Sequence, residues 1–291
     1  LPKRIPDWLR SDIPDTSVLG KVTGVISDLR LNTICFEARC PNKQECFKDS
    51  SVTFLILGRR CTRRCAFCNV ESAAPESVDR DEPRRLVEAA VRLGLTHVVV
   101  TSVTRDDLED GGAGQFVRSI RALKGSRGGH SVEVLTPDFG GDLGAAATVA
   151  GEGPDVFAHN VETVERLYPA VRDRASYTRT LGILEHISSG HDGVVTKSGL
   201  MLGLGETGEE VKRTLRDLSE AGCDIVTVGQ YMQPTKKHLP TVEYIHPSAF
   251  DEIALLAEDL GLTAVCGPRV RSSYRAEATF HEARLRRQTC A

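Results

Sequence analysis

From about residue 53 the chain alternates short apolar runs with longer stretches whose apolar residues fall on one helical face. TFLILG (53–58), THVVVTS (96–102), VEVLTP (132–137), DVFAHN (155–160), TKSGLMLGLG (196–205), DIVTVG (224–229) and TAVCG (263–267) read as strands. Helices are predicted over 83–94, 112–125, 142–150, 161–168, 176–187, 209–222 and 246–261. Pro83 and Pro247 stand early in theirs, and Gly94 and Gly125 stand at exits. The strand runs are rich in β-branched residues and hardly alternate. Strands covered by helices on both faces look like this, which argues for a parallel sheet. Six βα units and a final strand suit a barrel or partial barrel. A dinucleotide-binding sheet fits less well, because no G-x-G-x-x-G opens a helix after a strand. The fold class expected is α/β, a partial (β/α)6 TIM-type barrel over residues 53–267. Residues 1–52 lack this rhythm and read as an N-terminal extension, with residues 268–291 as a C-terminal one. The tail EARLRRQTCA is expected to be mobile.

The bulk numbers narrow the classes. A chain of 291 residues with 40% hydrophobic content can bury a sizeable core in one or two domains. Net charge is −3 with both signs mixed, so no basic face points to nucleic acid. No apolar run approaches the roughly 20 residues of a membrane helix. The sequence starts at Leu1 rather than Met, which fits either a removed targeting peptide or a trimmed chain. Residues 1–10 hold no apolar core of a secretory signal.

Nine cysteines change the picture more. An odd count fits a closed disulfide framework poorly. Six of them lie between Cys35 and Cys68, which reads as metal or cluster ligation in a reducing compartment. Cys61, Cys65 and Cys68 form Cys-x3-Cys-x2-Cys directly after the first predicted strand, where a parallel barrel places its chemistry. Three thiolates can hold three irons of a [4Fe–4S] cube and leave the fourth open. Zinc would want a fourth Cys or His close by, and none follows in the loop. Arg59, Arg60, Arg63 and Arg64 are expected to add positive charge that favours thiolates.

Cys61-Thr-Arg-Arg-Cys65-Ala-Phe67-Cys68 resembles the signature of the radical S-adenosylmethionine (SAM) superfamily, with Phe67 as the aromatic before the last cysteine. Gly199-Leu-Met201-Leu-Gly203-Leu-Gly-Glu206 resembles that superfamily's G-x-I-x-G-x-x-E segment, where glycines let backbone approach the adenine. The resemblance implies SAM contacts from Phe67, Gly199, Met201, Gly203, Glu206 and Asn160. It implies one-electron cleavage of SAM to methionine and a 5′-deoxyadenosyl radical.

Cys35, Cys40 and Cys46 give a second triplet, Cys-x4-Cys-x5-Cys, again without a fourth cysteine. Buried or disulfide-bonded cysteines are the alternative. Joined to the other triplet, it resembles the lipoyl synthase family. TSVTRDDLEDGGA (101–113), LTPDFGGD (135–142), HNVETV (159–164), GQYMQPTKKHLP (229–240) and GPRVRSSY (267–274) agree along nearly the whole chain. Two departures are small: Phe47 follows Cys46 where Trp or Tyr is usual, and the Ser126–His130 loop is glycine-rich.

That resemblance implies a second, auxiliary [4Fe–4S] cluster on Cys35, Cys40 and Cys46, with a serine of Arg271-Ser272-Ser273-Tyr274 as fourth ligand. The family position matches Ser273. The residues alone do not separate it from Ser272. A hard oxygen on an otherwise soft site is easily lost, which suits a cluster that gives up sulfide. The implied activity is a sulfurtransferase reaction: two SAM-dependent sulfur insertions, at C6 and then C8 of an octanoyl chain on a carrier lysine. Such C–H bonds have no acidic proton for a general base to take.

The implied carriers are lipoyl domains of 2-oxoacid dehydrogenases and the glycine-cleavage H protein. Implied partners are a ferredoxin- or flavodoxin-type electron donor and an iron–sulfur carrier. Nucleic acid and membrane are not expected. The start at Leu1 and the wording GQYMQPTKKHL lean towards the mitochondrial matrix, with bacterial cytoplasm or plastid as the family's other compartments. Rival readings are a biotin synthase-like or methylthiotransferase-like enzyme, a two-cluster electron carrier, and a zinc-stabilised module. His159 could meet SAM or serve structure. Asp106 and Asp107 could act as a carboxylate pair or cap a turn. Cys223 and Cys266 read as core residues, and Cys290 is given no role.

Overall fold

The computed structural model describes residues 4–10, 16–49 and 51–290. Helices α1 (Thr16–Asp28), α2 (Ile34–Glu37) and α3 (Lys43–Lys48) come first. Seven barrel strands follow: β1 (Thr53–Ile56), β2 (His97–Ser102), β3 (Ser131–Leu135), β4 (Val156–Ala158), β5 (Val195–Leu202), β6 (Ile225–Gln230) and β7 (Thr263–Gly267), with a short parallel pair, Arg60–Cys61 and Glu71–Ser72, outside the barrel sheet. They lie side by side in chain order, and every neighbouring pair is parallel. Helices α4 (Glu82–Leu93), α5 (Ala113–Lys124), α6 (Leu143–Gly151), α7 (Tyr168–Val171), α8 (Tyr177–Gly190), α9 (Gly208–Glu220) and α10 (Pro247–Asp259) fill the connections. Among the described residues β1 and β7 do not pair, so the barrel is open, as the six-unit reading expects. Asn32–Thr33 pairs antiparallel with β1 and covers the edge that β1 would otherwise expose.

The local reasons are visible in the sequence. Every residue of β1 and β6 is buried, because helices pack one face and the barrel interior the other. In α4, Leu86, Ala89, Ala90 and Leu93 form one buried stripe at helical spacing, and Gly94 ends the helix at φ 67°. Thr207 and Glu210 form a capping box at the start of α9.

Two expectations fail. Residues 161–164 are not helical: Glu162 takes φ 64° and bridges Leu200 beside β5, and a 3-10 turn starts only at Glu165. The polar HNVETV stretch is spent on backbone pairing there. Nor is the C-terminal tail loose. It forms α11 (Ala276–Cys290), which packs on β2, β5, β6 and β7. Phe280 and Ala283, three residues apart, bury against Val156, Val195 and Ile225. Arg287 adds an ion pair to Asp224 at 2.7 Å and a hydrogen bond to the Asp192 carbonyl at 2.9 Å. The helix therefore closes the end where the strands begin, and the opposite end is left for the site.

Candidate active site

At the strands' C-terminal end lies a cavity of about 520 Å³. Its wall includes all six clustered cysteines, Ser272 and Ser273, Phe67, Asn160, Gly199 and Met201. The sequence places these residues far apart, and three sets of contacts gather them.

The loop after β1 is held mainly through its backbone. Thr62 N–H donates to the Thr104 carbonyl at 3.1 Å, and Arg64 N–H to Asp173 at 2.9 Å. Ala66 N–H donates to the Val171 carbonyl at 2.9 Å, and Leu239 N–H to the Ala66 carbonyl at 3.1 Å. His238 Nε2 donates to the Cys68 carbonyl at 3.0 Å. Arg63 is buried and binds Asp106 and Asp138, each at 2.7 Å.

The first triplet sits on α2 and in and around α3, outside the barrel. Asn69 Nδ2 ties the second loop to the Glu37 carbonyl at 2.8 Å. Tyr274 donates to Glu45 at 2.6 Å, and Asn42 donates to the Arg269 carbonyl. These contacts bring the RSSY segment against the first triplet. Gly229 makes that approach possible, since a Cβ there would stand 2.0 Å from the Val270 carbonyl oxygen. Gly199 answers the same need on the other wall: a Cβ would meet Asn160 Oδ1 at 2.8 Å.

Ser272 and Ser273 differ. Ser272 Oγ donates to Asn160 Oδ1 at 3.0 Å. Among the described residues the Ser273 hydroxyl has no hydrogen-bond partner, though it lines the same cavity. Gly203 and Glu206 are not on the cavity wall among the described residues. Glu206 instead accepts from the Gly203 and Leu204 N–H groups and closes the turn after β5.

The eight described cysteine side chains are free thiols. Burial pushes Cys46 and Cys68 up to about 12, and raises Cys35 and Cys65 as well. Neighbouring thiols of the same triplet add to each shift. Two half-buried sets of three soft donors fit ligands to cationic iron–sulfur clusters, which would draw off the thiol protons. Among the described residues no three His, Cys, Asp or Glu side chains gather as ligands of a single ion. The fit therefore rests on the donor chemistry.

Three of the four arginines of the second loop are drawn to partners other than the thiols. Arg63 is held by its two aspartates, Arg60 reaches Glu71 at 3.5 Å, and Arg64 reaches Ser72 at 3.4 Å. The cation that offsets part of the rise at Cys65 is Arg172, half-buried on the cavity wall and bound to the Asn160 carbonyl at 2.7 Å. Neither Arg172 nor its half-buried neighbour Glu162 is singled out by the sequence. HNVETV contained the signal for Glu162, while nothing around Arg172 marks it before folding.

The remaining candidates resolve as structure. His159 is buried, bonds the Thr136 carbonyl and Thr180, and is pushed down to about 4 by burial and Arg172. Asp106 pairs with Arg63 and Asp107 with Arg105, so they are neither a carboxylate pair nor turn caps. Cys223 belongs to the core, and Cys266 packs against it. The Cys290 side chain lies outside the described residues.

Comparison with known proteins follows the geometry. A model of the radical SAM superfamily matches residues 55–218. The lipoyl synthase of Caldicellulosiruptor saccharolyticus is 51% identical over 275 residues, spanning 94% of this chain and 96% of that one. Those of Trichlorobacter lovleyi and Thermus thermophilus are 50% and 48% identical, covering 94% and 97% of this chain and 98% and 88% of theirs. Among solved structures, methylornithine synthase matches with TM-score 0.56 at 15% identity, over 73% of this chain and 63% of that one. HydG, a maturase of the [FeFe]-hydrogenase, matches with TM-score 0.55 at 13% identity, over 93% and 75%. These two support the barrel fold alone. The three relatives are bacterial, which leaves the mitochondrial expectation without support. Among the described residues no helix is long and apolar enough to cross a membrane. The chain belongs to the radical SAM superfamily and, within it, to the lipoyl synthase family.

Proposed function

We propose that this chain inserts two sulfur atoms into a protein-bound octanoyl group, at C6 and then at C8, to make the dihydrolipoyl group. The observation that carries this reading is the meeting of both cysteine triplets and the RSSY segment on one cavity wall. An acyl chain in that cavity would lie between the two triplets.

Cys61, Cys65 and Cys68 would hold the SAM-cleaving [4Fe–4S] cluster, and Cys35, Cys40, Cys46 and Ser273 the auxiliary one. With both clusters in place, the first supplies the electron that splits SAM to methionine and a 5′-deoxyadenosyl radical. The second is a substrate, consumed as the source of both sulfurs. The protein's part is placement. Ser272 is committed to Asn160, which supports Ser273 as the oxygen left for iron. Phe67 packs with Met201, Leu204 and Tyr231, which gives the SAM side of the cavity an apolar wall. Arg172 and Glu162 put a guanidinium and a carboxyl group on the cavity wall that Cys65 shares, where the charged amino and carboxylate groups of SAM would need partners. The carrier is a lipoyl domain or H protein. An electron donor of ferredoxin or flavodoxin type and a carrier that rebuilds the consumed cluster complete the cycle.

Anaerobic reconstitution should load about eight irons per chain with matching sulfide. Incubation with SAM, reductant and an octanoylated carrier should give the dithiolated product and 5′-deoxyadenosine. Bound zinc without sulfide would sink the reading. Ser273→Ala should still form 5′-deoxyadenosine but fail to complete sulfur insertion. Full activity in that variant would remove Ser273 from the ligand set.

A further inference from the structure

We propose that the turn at residues 235–238 is the docking element for an acidic face of the carrier domain. This rests on the function proposed above and adds the chemistry of the partner's surface.

Met232, Gln233 and Pro234 line the cavity, and the chain turns immediately after them. His238 N–H donates to the Thr235 carbonyl at 3.0 Å, and Lys237 N–H to Thr235 Oγ1 at 3.2 Å. The turn is tethered to the site from behind. His238 Nε2 donates to the Cys68 carbonyl at 3.0 Å, while its Nδ1 accepts from the Thr235 hydroxyl at 2.9 Å. Leu239 N–H bonds the Ala66 carbonyl, Gln233 Nε2 bonds the His238 carbonyl at 2.8 Å, and Tyr231 bonds the Leu239 carbonyl at 2.8 Å. The tip is therefore fixed relative to the loop that carries Cys65 and Cys68.

Lys236 and Lys237 stand exposed on that tip. Among the described residues neither ammonium has a hydrogen bond or ion pair. Arg39, exposed on the first-triplet side of the same cavity, is likewise unpaired. Arg84, Arg85, Arg121 and Arg166, elsewhere on the barrel, are ion-paired. Of the charged side chains lining the cavity, three are arginines (Arg39, Arg172, Arg271) and one is the carboxylate Glu162. A chain of net charge −3 thus lines this cavity with more cations than carboxylates. Unpaired cations on a fixed rim steer and orient a partner of opposite charge, and salt weakens them. An acyl-lysine entering this cavity brings its carrier domain against that rim.

The test uses the anaerobically reconstituted full chain and its Lys236→Glu/Lys237→Glu variant. Two probes are compared: an octanoylated lipoyl domain with acidic residues around its lysine, and a short uncharged octanoyl-lysine peptide. The variant should bind the domain about tenfold more weakly and show the same factor in KM. Its kcat and its KM for the peptide should not change. Added salt should weaken domain binding by the wild type and leave the variant nearly level. An unchanged domain Kd, or an equal loss on both probes, overturns the docking proposal. If the wild type binds the domain through these lysines but makes no sulfur-bearing product from either probe, docking stands and the proposed function falls.

Discussion

The charge pair at the base of the barrel and the thiols at its open end are buried ionisable groups with opposite behaviour. Where the strands begin, Lys197 and Glu133 are fully buried and joined by two contacts of 2.9 and 3.1 Å. His97 lies 3.6 Å from the same carboxylate and stacks on Phe280 of α11. Burial opposes the charge of Glu133, yet Lys197 and His97 hold its carboxyl below the usual range. Where the strands end, six thiols line one cavity, and burial drives four of them away from the charged state. Buried charge that is paired within the chain serves the fold. Buried donors that disfavour their own ionisation serve a ligand that brings the compensating charge.

Substitutions at the two ends should separate these roles. Cys65→Ala should abolish 5′-deoxyadenosine formation and lower iron loading by about half, to about four per chain. Thermal unfolding of its apoprotein should stay near wild type. If that apoprotein were strongly destabilised, the cysteine would be serving the fold and the contrast would fail. Lys197→Met should do the reverse, costing about 3–5 kcal/mol by leaving Glu133 charged and alone in the interior. Urea unfolding of the apoprotein measures this. The double variant Lys197→Met/Glu133→Leu should regain most of the loss, since an apolar pair needs no compensation.

His159 sharpens the comparison, because burial keeps it neutral as it does the thiols, yet its partners lie within the chain. It is buried, hydrogen-bonded and held neutral, down to about 4. Between about pH 6.5 and 4 the unfolded chain takes up a proton that the folded chain excludes. Stability therefore falls as pH drops through that window, by roughly 3 kcal/mol in all. A His159→Gln variant should show a flatter pH dependence of urea unfolding than wild type. Equal slopes would mean that this imidazole is accessible to protons in the folded state.

How much of this the sequence displays follows from the range of the interactions. All seven barrel strands are legible, because each is a local apolar run that its own neighbours define; the two-residue strands at Asn32–Thr33, Arg60–Cys61 and Glu71–Ser72 are not. The two triplets are legible for the same reason: ligand spacing is local. What escapes depends on distant partners. Arg63 reads as a cation for the thiols until Asp106 and Asp138, far along the chain, take it. Arg172 reaches Cys65 only once α7 packs under the loop. Residues 276–290 look like a polar tail because their anchoring rests on a few positions, chiefly Phe280 and Ala283, which meet Val156, Val195 and Ile225. The choice between Ser272 and Ser273 turns on one contact to Asn160, which no spacing reveals.

The smallest effect should come from the barrel's side, at Thr207. Its side chain accepts from the Glu210 N–H at 3.3 Å, and Glu210 returns a bond to the Thr207 N–H at 2.8 Å. Arg166 also binds Glu210, at 2.6 Å. Thr207→Ala should lose one side of this box and cost about 1 kcal/mol of stability. The Glu210–Arg166 pair does not need Thr207, and it is exposed enough to contribute little either way. The cap opens α9 just after the turn that Glu206 closes, one residue away along the chain. If that turn is rigid, SAM cleavage should remain at the wild-type rate while apoprotein stability falls. A drop in 5′-deoxyadenosine formation larger than the stability loss explains would show that the turn carries part of the SAM site. Gly203 and Glu206 would then act through backbone placement, although neither lines the cavity.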